Sequence, residues 1–515
     1  MPKLLALFLV SVSTFAHAAV ITPQLRADKA VGSMAAGSNV LLLKTPAQFR
    51  AGDQIIVEIG GEAGRGQRGT QGVGGVTPGD PNDGRYYQNA DAPRSLTAKV
   101  VTVEGHFVTL DKSAIVATRD AVVHYDNLPA WNAATFWDEA NPVTTQGDVL
   151  VTLPAGSFAF SDQVPFWWHK PGWIIAGQGD DRTELFSPKG TTSIALYVFE
   201  SPKTTVRDLR LRGNVADHGY GTTFYQAALD LSLSPEARAF NVVTVDAWRG
   251  LNVSYSYNTT AENFRAYLTQ PLRIYVSWQI AFANSEGGGC WNCAVLSRYV
   301  TAGLESFQSS GQTYKGNRLF GAIFSSNSSR DLQIDDLYIR LAAGSAHLRD
   351  MLYNPMVNLN LNVDTQQGSE LPPGAGGTYK NVTMIQDGYI GADPTWGKWF
   401  MASGINVDPR TSDLNVVGGS FWVPDVTSDN LTKAGGVTGV NNYGGNKNVV
   451  VDGFLSCGLT DEPPMWQANI RNTDNVVRNS RGRLIIAGPQ EGNSTNLSGC
   501  VAPGPYPDIT PPPMR

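Results

Sequence analysis

The fold of this chain is decided by a stretch that reads VLVTLPAGSF over residues 149–158. A short run of aliphatic and β-branched residues is followed by Pro-Ala-Gly, which ends the strand and turns the chain. The same layout recurs in WIIAGQGDD at 173–181 and in TVRDLRLRGN at 205–214. Short strands of this kind cannot bury a face alone, so their repetition predicts a solenoid of stacked coils.

The pattern continues toward the carboxyl end, with further β runs at 241–245, 331–334, 356–363, 380–385, 413–417 and 447–451. Their spacing drifts between roughly 20 and 35 residues, and long helical periodicity is missing. Asn or Asp often precedes the apolar pair, which suits side-chain amides that pair between coils and tolerate turn geometry. We therefore expect a parallel β-helix over residues 128–490.

A separate unit precedes the coils at residues 19–127, and a Pro-rich tail follows them at 491–515. Four strand-like runs, at 38–43, 53–59, 96–103 and 106–110, predict a small β-rich domain. Residues 60–84 form a Gly-rich loop that contains a literal GxGxxG at 64–69. No helix can start after it, because Gly, Thr, Val and Pro continue, so nucleotide binding is not expected.

The amino end predicts export. Residues 1–18 combine Lys3, an apolar run over 4–10 and an Ala-His-Ala site ending at Ala18, which is typical of a cleaved secretory signal. The chain would then be secreted or periplasmic, and no later run reaches membrane-span length. Four cysteines fit an oxidising compartment: we expect a Cys457–Cys500 bond, and either a local bond or two thiols at Cys290 and Cys293.

Composition excludes several function classes. Hydrophobic residues make up 42% of the chain, so it is not disordered. A net charge of −6 without a basic stripe argues against a nucleic-acid partner. No metal motif is complete; the fragment at 80–84 resembles part of a calcium loop, so no cofactor is expected and Ca²⁺ stays open.

The three stretches at 149–158, 174–185 and 206–214, in that order, resemble the first coils of the pectate-lyase-like right-handed β-helix superfamily. The close match covers about 65 residues, and after it only the general recurrence of short β runs is similar. The resemblance implies a right-handed parallel β-helix of the kind found in tailspikes and secreted polysaccharide-degrading enzymes. The polygalacturonase motifs and the pectate-lyase Arg-x-Pro-x-x-Arg segment are missing, which puts a pectin substrate in doubt.

Aligning post-turn strands by an inward Leu gives two outward columns. One reads Asn252, Arg273, Glu305, Gln333, and its neighbour reads Ser254, Tyr275, Phe307, Asp335. Glu305 and Asp335 would then lie about 8 Å apart at their Cα atoms, which suits the acid and base of an inverting glycosidase. Asp336 replaces Asp335 if the register slips by one residue.

The remaining candidates would hold substrate. Arg273 would bind a uronate or sulfate beside the aromatic Tyr275, and Glu286 would close over the substrate from a Gly-rich loop. Asp246, Arg249 and His218 are further candidates. We expect a glycoside hydrolase acting on a polysaccharide or oligosaccharide. The alternatives are a lyase that cleaves uronate glycans by β-elimination, using Arg273 and Tyr275, and a non-catalytic carbohydrate-binding or adhesive β-helix. Monomer and homotrimer both stay open.

Overall fold

The structure is a computed structural model, and it describes most of the chain. The described residues are 19–58, 95–135, 149–213, 227–269, 279–341, 361–364, 375–386, 402–407, 412–422, 437–442, 447–457, 475–481, 490–494, 500 and 503–515, except 47, 163, 168–169, 192–195, 248 and 328. The predicted signal segment, the Gly-rich loop and the calcium-like fragment lie outside them. So do His218, Arg273 and Tyr275.

The amino-terminal unit is a small closed antiparallel barrel. Its strands, in the order β2-β3-β6-β5-β4-β7, are β2 (Lys29–Met34), β3 (Val40–Leu43), β6 (Phe107–Leu110), β5 (Leu96–Glu104), β4 (Gln54–Val57) and β7 (Thr118–Tyr125). Alternate residues such as Leu41, Ile55 and Val108 fill its interior. All four strands predicted in this region are confirmed.

The described strands outside the barrel form three parallel sheets, so the predicted fold class is confirmed. The first sheet contains β10 (Val164–Trp167), β13 (Leu196–Phe199), β15 (Ala227–Ser232), β17 (Arg249–Ser254), β20 (Ile280–Ala283), the ends of β22 (Ala294–Phe307) and β24 (Arg318–Asn327), β27 (Leu361–Asp364), β30 (Ala402–Val407) and β33 (Val437–Asn442).

The second sheet follows the first in every coil. It contains β1 (Ala19–Ile21), β8 (Val149–Thr152), β11 (Ile174–Ala176), the starts of β14 (Thr205–Arg212) and β16 (Arg238–Val245), β18 (Thr260–Glu262), β21 (Gly289–Trp291), β23 (Thr313–Lys315), β25 (Leu332–Asp335), β28 (Ala375–Lys380), β31 (Ser412–Val417), β34 (Val450–Asp452), β36 (Val476–Arg478) and β37 (Gln490–Glu491).

The third sheet completes the coil. It contains β9 (Gly156–Ala159), β12 (Thr183–Phe186), the ends of β14 and β16, β19 (Arg265–Leu268), the starts of β22 and β24, β26 (Tyr338–Leu341), β29 (Thr383–Gln386), β32 (Ser420–Trp422) and β35 (Leu455–Cys457). One helix, α1 (Leu128–Thr135), covers the open end of the coils, where Trp131 is buried and donates to the Pro165 carbonyl at 2.7 Å.

The core is a set of inward stacks, one residue per rung. In the first sheet, Leu229, Leu251, Ile280, Leu304 and Phe324 lie in direct register and are all buried. Because the side-chain period of a strand is two, the residue after each of these points outward. The fold therefore sorts every other residue of the first sheet onto one outward face, on which Asp230, Asn252, Ala281, Glu305 and Ser325 are nevertheless buried.

Two polar ladders hold the corners. Between the second and third sheets, Asp208, Asn241 and Asn263 occupy left-handed backbone conformations, and each amide bonds the residue one coil before. Between the first and second sheets a serine ladder runs through Ser201, Ser234, Ser256, Ser285, Ser309 and Ser329, in which each hydroxyl after that of Ser201 accepts from the backbone N–H of the serine one coil earlier.

The carboxyl-terminal residues 503–515, here called the strap, fold back along the third sheet. Arg340 donates to the Pro505 carbonyl at 3.0 Å, and Arg210 donates to the Pro512 carbonyl at 2.7 Å. The Cys457–Cys500 bond ties the chain just before the strap. Cys290 and Cys293 are also bonded to each other, so the expected pairing and its local alternative are both found.

Candidate functional site

The candidate site is the outward face of the first sheet. Its two central columns, in register from rung to rung, are Tyr197–Asp230–Asn252–Ala281–Glu305–Ser325 and Phe199–Ser232–Ser254–Ala283–Phe307. Most of the chain segments outside the described residues, including 214–226, 270–278 and 342–360, join the third sheet to this first sheet in the sequence. Inserted length of this kind commonly carries binding and catalytic residues.

The predicted columns are partly right. Asn252 and Glu305 share one column and Ser254 and Phe307 share the next, as expected. The residue predicted for the rung between them is wrong, because Ala281 stands where Arg273 was expected. The residue predicted for the rung after Glu305 is also wrong, because Ser325 stands there and not Gln333.

Glu305 is a buried carboxyl that stands between Ala281 and Ser325 on the column. Its accessible surface is 8% of the free value, and within the described residues no donor bonds to it. Burial raises the pKa of the Glu305 carboxyl to about 7, against a smaller opposite effect of the Arg249 charge. The residue on the preceding rung is Ala281, which is fully buried. A Glu with this pKa is poised to give or take a proton at neutral pH.

Asp230 is a second buried carboxyl on the same column. It accepts hydrogen bonds from the Ser232 hydroxyl and from Asn252 Nδ2, the latter at 3.2 Å. Burial raises the pKa of Asp230 to about 6, although Ser232, Asn252 and Arg249 each favour its charged form. The Ser232 hydroxyl also lies 2.6 Å from that of Ser254, which continues the polar cluster along the rung.

Arg249 lies between the two carboxyls. It begins β17, and its Nη1 donates to Asn252 Oδ1 at 2.7 Å. Its positive charge lowers the pKa of both Asp230 and Glu305, against the larger effect of burial. Three rungs separate those two residues, which is about 14 Å between Cα atoms. Asn252, which stands on the next rung toward Glu305, donates to the Asp230 carboxyl.

Asp335 and Asp336 do not share this face, so their predicted placement beside Glu305 is wrong. Asp335 ends β25 in the second sheet, where it stands between Lys315 and Lys380 and forms a 3.9 Å ion pair with Lys315. Asp336 lies at the corner between the second and third sheets, where it has a positive φ like that of Asn241, and it pairs with Arg318 at 2.8 Å. The alignment failed because both sheets bury a Leu at the start of the strand, and Leu332 belongs to the second sheet.

The other predicted residues are dispersed. Asp246 directly follows β16 and accepts from the Thr269 N–H and hydroxyl, both at 2.7 Å, so it fixes a connection. Glu286 is exposed at the corner between the first and second sheets, where its backbone bridges to Tyr257 and Ser310. Of the predicted residues that the structure describes, Arg249 and Glu305 are the two that lie on the first sheet.

Sequence reasoning missed Asp230. Its Asp-Leu-Ser context at 230–232 repeats as Asn-Val-Ser at 252–254, with an inward aliphatic residue between two outward polar ones. That pattern was the available signal. Among the described residues, no group of three or more His, Cys, Asp or Glu could hold a metal. Across the same residues, no helix has the length and apolar character that a membrane crossing demands.

Comparison with known proteins gives no information about the activity of this chain. No family model and no curated protein matches the chain. Among solved structures, the catalytic domain of a GH87 α-1,3-glucanase with nigerose is similar at 12% identity and TM-score 0.39, over 92% of this chain and 90% of that one. The Agl-KA catalytic domain gives 12% and 0.41 over 89% and 88%. PfbA, a surface adhesin of Streptococcus pneumoniae, gives 12% and 0.42 over 68% and 84%. Likenesses at this level carry no argument about activity, which must come from the site itself.

Proposed function

We propose that this chain is an exported glycoside hydrolase that cleaves a polysaccharide on the outward face of the first sheet. The observation that carries the proposal is Glu305, a buried outward carboxyl with a pKa of about 7 and no hydrogen-bond donor among the described residues. Cleavage of a glycosidic bond requires proton transfer to the leaving oxygen. An ordinary glutamic acid is ionised at neutral pH, whereas a buried one keeps its proton.

Asp230 is the matching base in this proposal. Between pH 6 and 7 the two carboxyls differ in state, since the Asp230 pKa is about 6 and the Glu305 pKa is about 7. Asp230 is then mostly ionised and able to activate water while Glu305 is mostly protonated. Their Cα atoms lie about 14 Å apart, so the two side chains must bring their carboxyl groups to within the roughly 6.5–9.5 Å that an inverting mechanism requires.

The same arrangement favours hydrolysis over the lyase alternative. A lyase must neutralise a uronate carboxylate, and the described part of the site places one Arg249 beside two carboxyls. The two disulfides support export, because such bonds persist in oxidising compartments.

The test compares the full chain with Glu305→Gln on a panel of neutral and acidic polysaccharides, measuring new reducing ends and the ultraviolet absorbance of unsaturated uronates. We expect reducing ends without unsaturated product, and a loss of about 10²–10⁴-fold in rate for the variant. Glu262→Gln is the matched control, because Glu262 is exposed on the second sheet. Full activity in Glu305→Gln, or an unsaturated product, contradicts the proposal.

A further inference from the structure

Three large apolar side chains are exposed together at the corner between the first and second sheets. Leu233 is 40% exposed, Tyr255 64% and Tyr257 52%. Leu233 and Tyr255 stand on adjacent rungs of one turn column, since each directly follows one of the registered residues Ser232 and Ser254. Neither tyrosine has a hydrogen bond from its phenol or a ring contact within the described residues. We call these three residues the corner ridge.

The backbone at this corner disfavours such residues. Leu233 and Tyr255 have φ values of 48° and 51°. In the next two coils the same turn position holds Asn284 and Gln308, again with positive φ. Asn adopts this conformation readily, whereas a bulky side chain there is uncommon and costs energy. Because both side chains are exposed, packing gives no compensation, and strain of this kind concentrates at ligand-binding positions.

The corner ridge is continuous with the candidate site. Ser232 bonds Asp230 and lies against Ser254, and the chain passes directly from those two serines into Leu233 and Tyr255. A ligand that leaves Asp230 along the strand direction therefore reaches the ridge next. The ridge itself is uncharged.

We propose that the corner ridge binds a polysaccharide chain as it leaves the acid cluster, with sugar rings stacked on Tyr255 and Tyr257. This inference rests on the proposed function and adds a subsite to it. Flat aromatic faces match the C–H faces of sugar rings, and the phenol hydroxyls match their edges. A protein partner fits less well, because a stable interface needs about 800 Å² on each side and three side chains supply less.

The test measures retention of the chain in gels that contain each soluble polysaccharide, for Tyr255→Asn, Tyr257→Ala and the control Phe107→Ala. Phe107 is an equally exposed aromatic residue on the barrel, 55% exposed. We expect each ridge variant to bind about 3- to 10-fold more weakly and the control to bind normally. Tyr255→Asn should melt at the same temperature as the parent chain or higher, because Asn relieves the strain.

Retention equal to the parent chain in both ridge variants overturns the inference. Self-association of the parent chain that these variants abolish also overturns it, because the ridge would then be a contact between copies. A parent chain retained by no polysaccharide overturns the ridge, and if it also releases no reducing ends from the panel, the proposed function fails as well. Weakened retention in the ridge variants alongside full hydrolysis by Glu305→Gln supports the ridge and overturns the acid assignment alone.

Discussion

Glu305 and Asp230 titrate in a narrow window because both are buried on an outward column. The pKa of Asp230 is about 6 and that of Glu305 about 7, each raised chiefly by burial. With Asp230 as base and Glu305 as acid, kcat/KM should rise through pH 6 and fall through pH 7. A pH–rate profile of the parent chain checks this, and Glu262→Gln should reproduce it. Activity that keeps rising above pH 8 contradicts the assigned roles.

The same burial predicts an effect on stability that needs no substrate. The pKa of Glu305 is raised from 4.5 to about 7 on folding, so the folded chain binds this proton more tightly than the unfolded chain. The stabilisation is complete below pH 4.5 and is lost as pH rises through 7. Glu305→Gln does not titrate, so the variant should gain up to about 3 kcal/mol relative to the parent between pH 5 and 8. Denaturant titrations at both pH values measure the difference, and a difference that does not change with pH refutes it.

Sequence reasoning identified about half of the residues that form the candidate site. Glu305 and Asn252 were identified because strand periodicity assigns outward positions correctly within one sheet. Asp335 was misplaced because inward Leu residues begin strands of both sheets, and Leu position alone cannot tell one sheet from another. Asp230 was overlooked because its burial depends on neighbouring coils, which a single strand does not reveal.

At the scale of the elements, the serine ladder aligns one coil over the next. Ser256 accepts from the Ser234 N–H at 3.0 Å and donates to the carbonyls of Leu231 and Ser254, all in a buried corner. Ser256→Ala leaves that N–H without an acceptor, which should lower the free energy of unfolding by about 1–3 kcal/mol. Ser310→Ala is the control, since the Ser310 hydroxyl makes no hydrogen bond within the described residues. Equal denaturant midpoints for the two variants contradict a structural role for the ladder.

The two ladders differed in how readily the sequence revealed them. Asn and Asp before apolar pairs are recognisable because few residues adopt positive φ, and Asn241 and Asn448 fulfil that expectation. The serines were not recognised because Ser is common in loops. Its structural role depends on a hydrogen bond between its hydroxyl and the previous coil, which the sequence does not reveal. Strand composition is therefore sufficient for the coil, but insufficient for its register.

For the whole molecule, the strap shows how composition can mislead. Its Pro-rich sequence indicated a simple tail, yet Ile509 is buried and Tyr506 contacts both Phe320 and Arg340 of the third sheet. Proline removes backbone donors and prefers extended conformations, so a Pro-rich segment can lie along a sheet face without forming another strand. Only the completed coil provides the surface on which these residues are buried.

Removal of the strap should destabilise the coil. The third sheet presents Val243, Val245 and Tyr267 as a buried apolar cluster on its outward side, and the strap is bound along that sheet by Arg210 and Arg340. Deleting residues 503–515 should lower the free energy of unfolding by at least about 2 kcal/mol and increase binding of a hydrophobic dye, because apolar surface becomes exposed. Asp181→Asn is the control: it breaks only the exposed Arg515 ion pair, which should cost less than about 1 kcal/mol. If the shortened chain unfolds at the parent's denaturant midpoint and binds no more dye, then the strap contributes nothing to the core, and its contacts with the third sheet are incidental to stability.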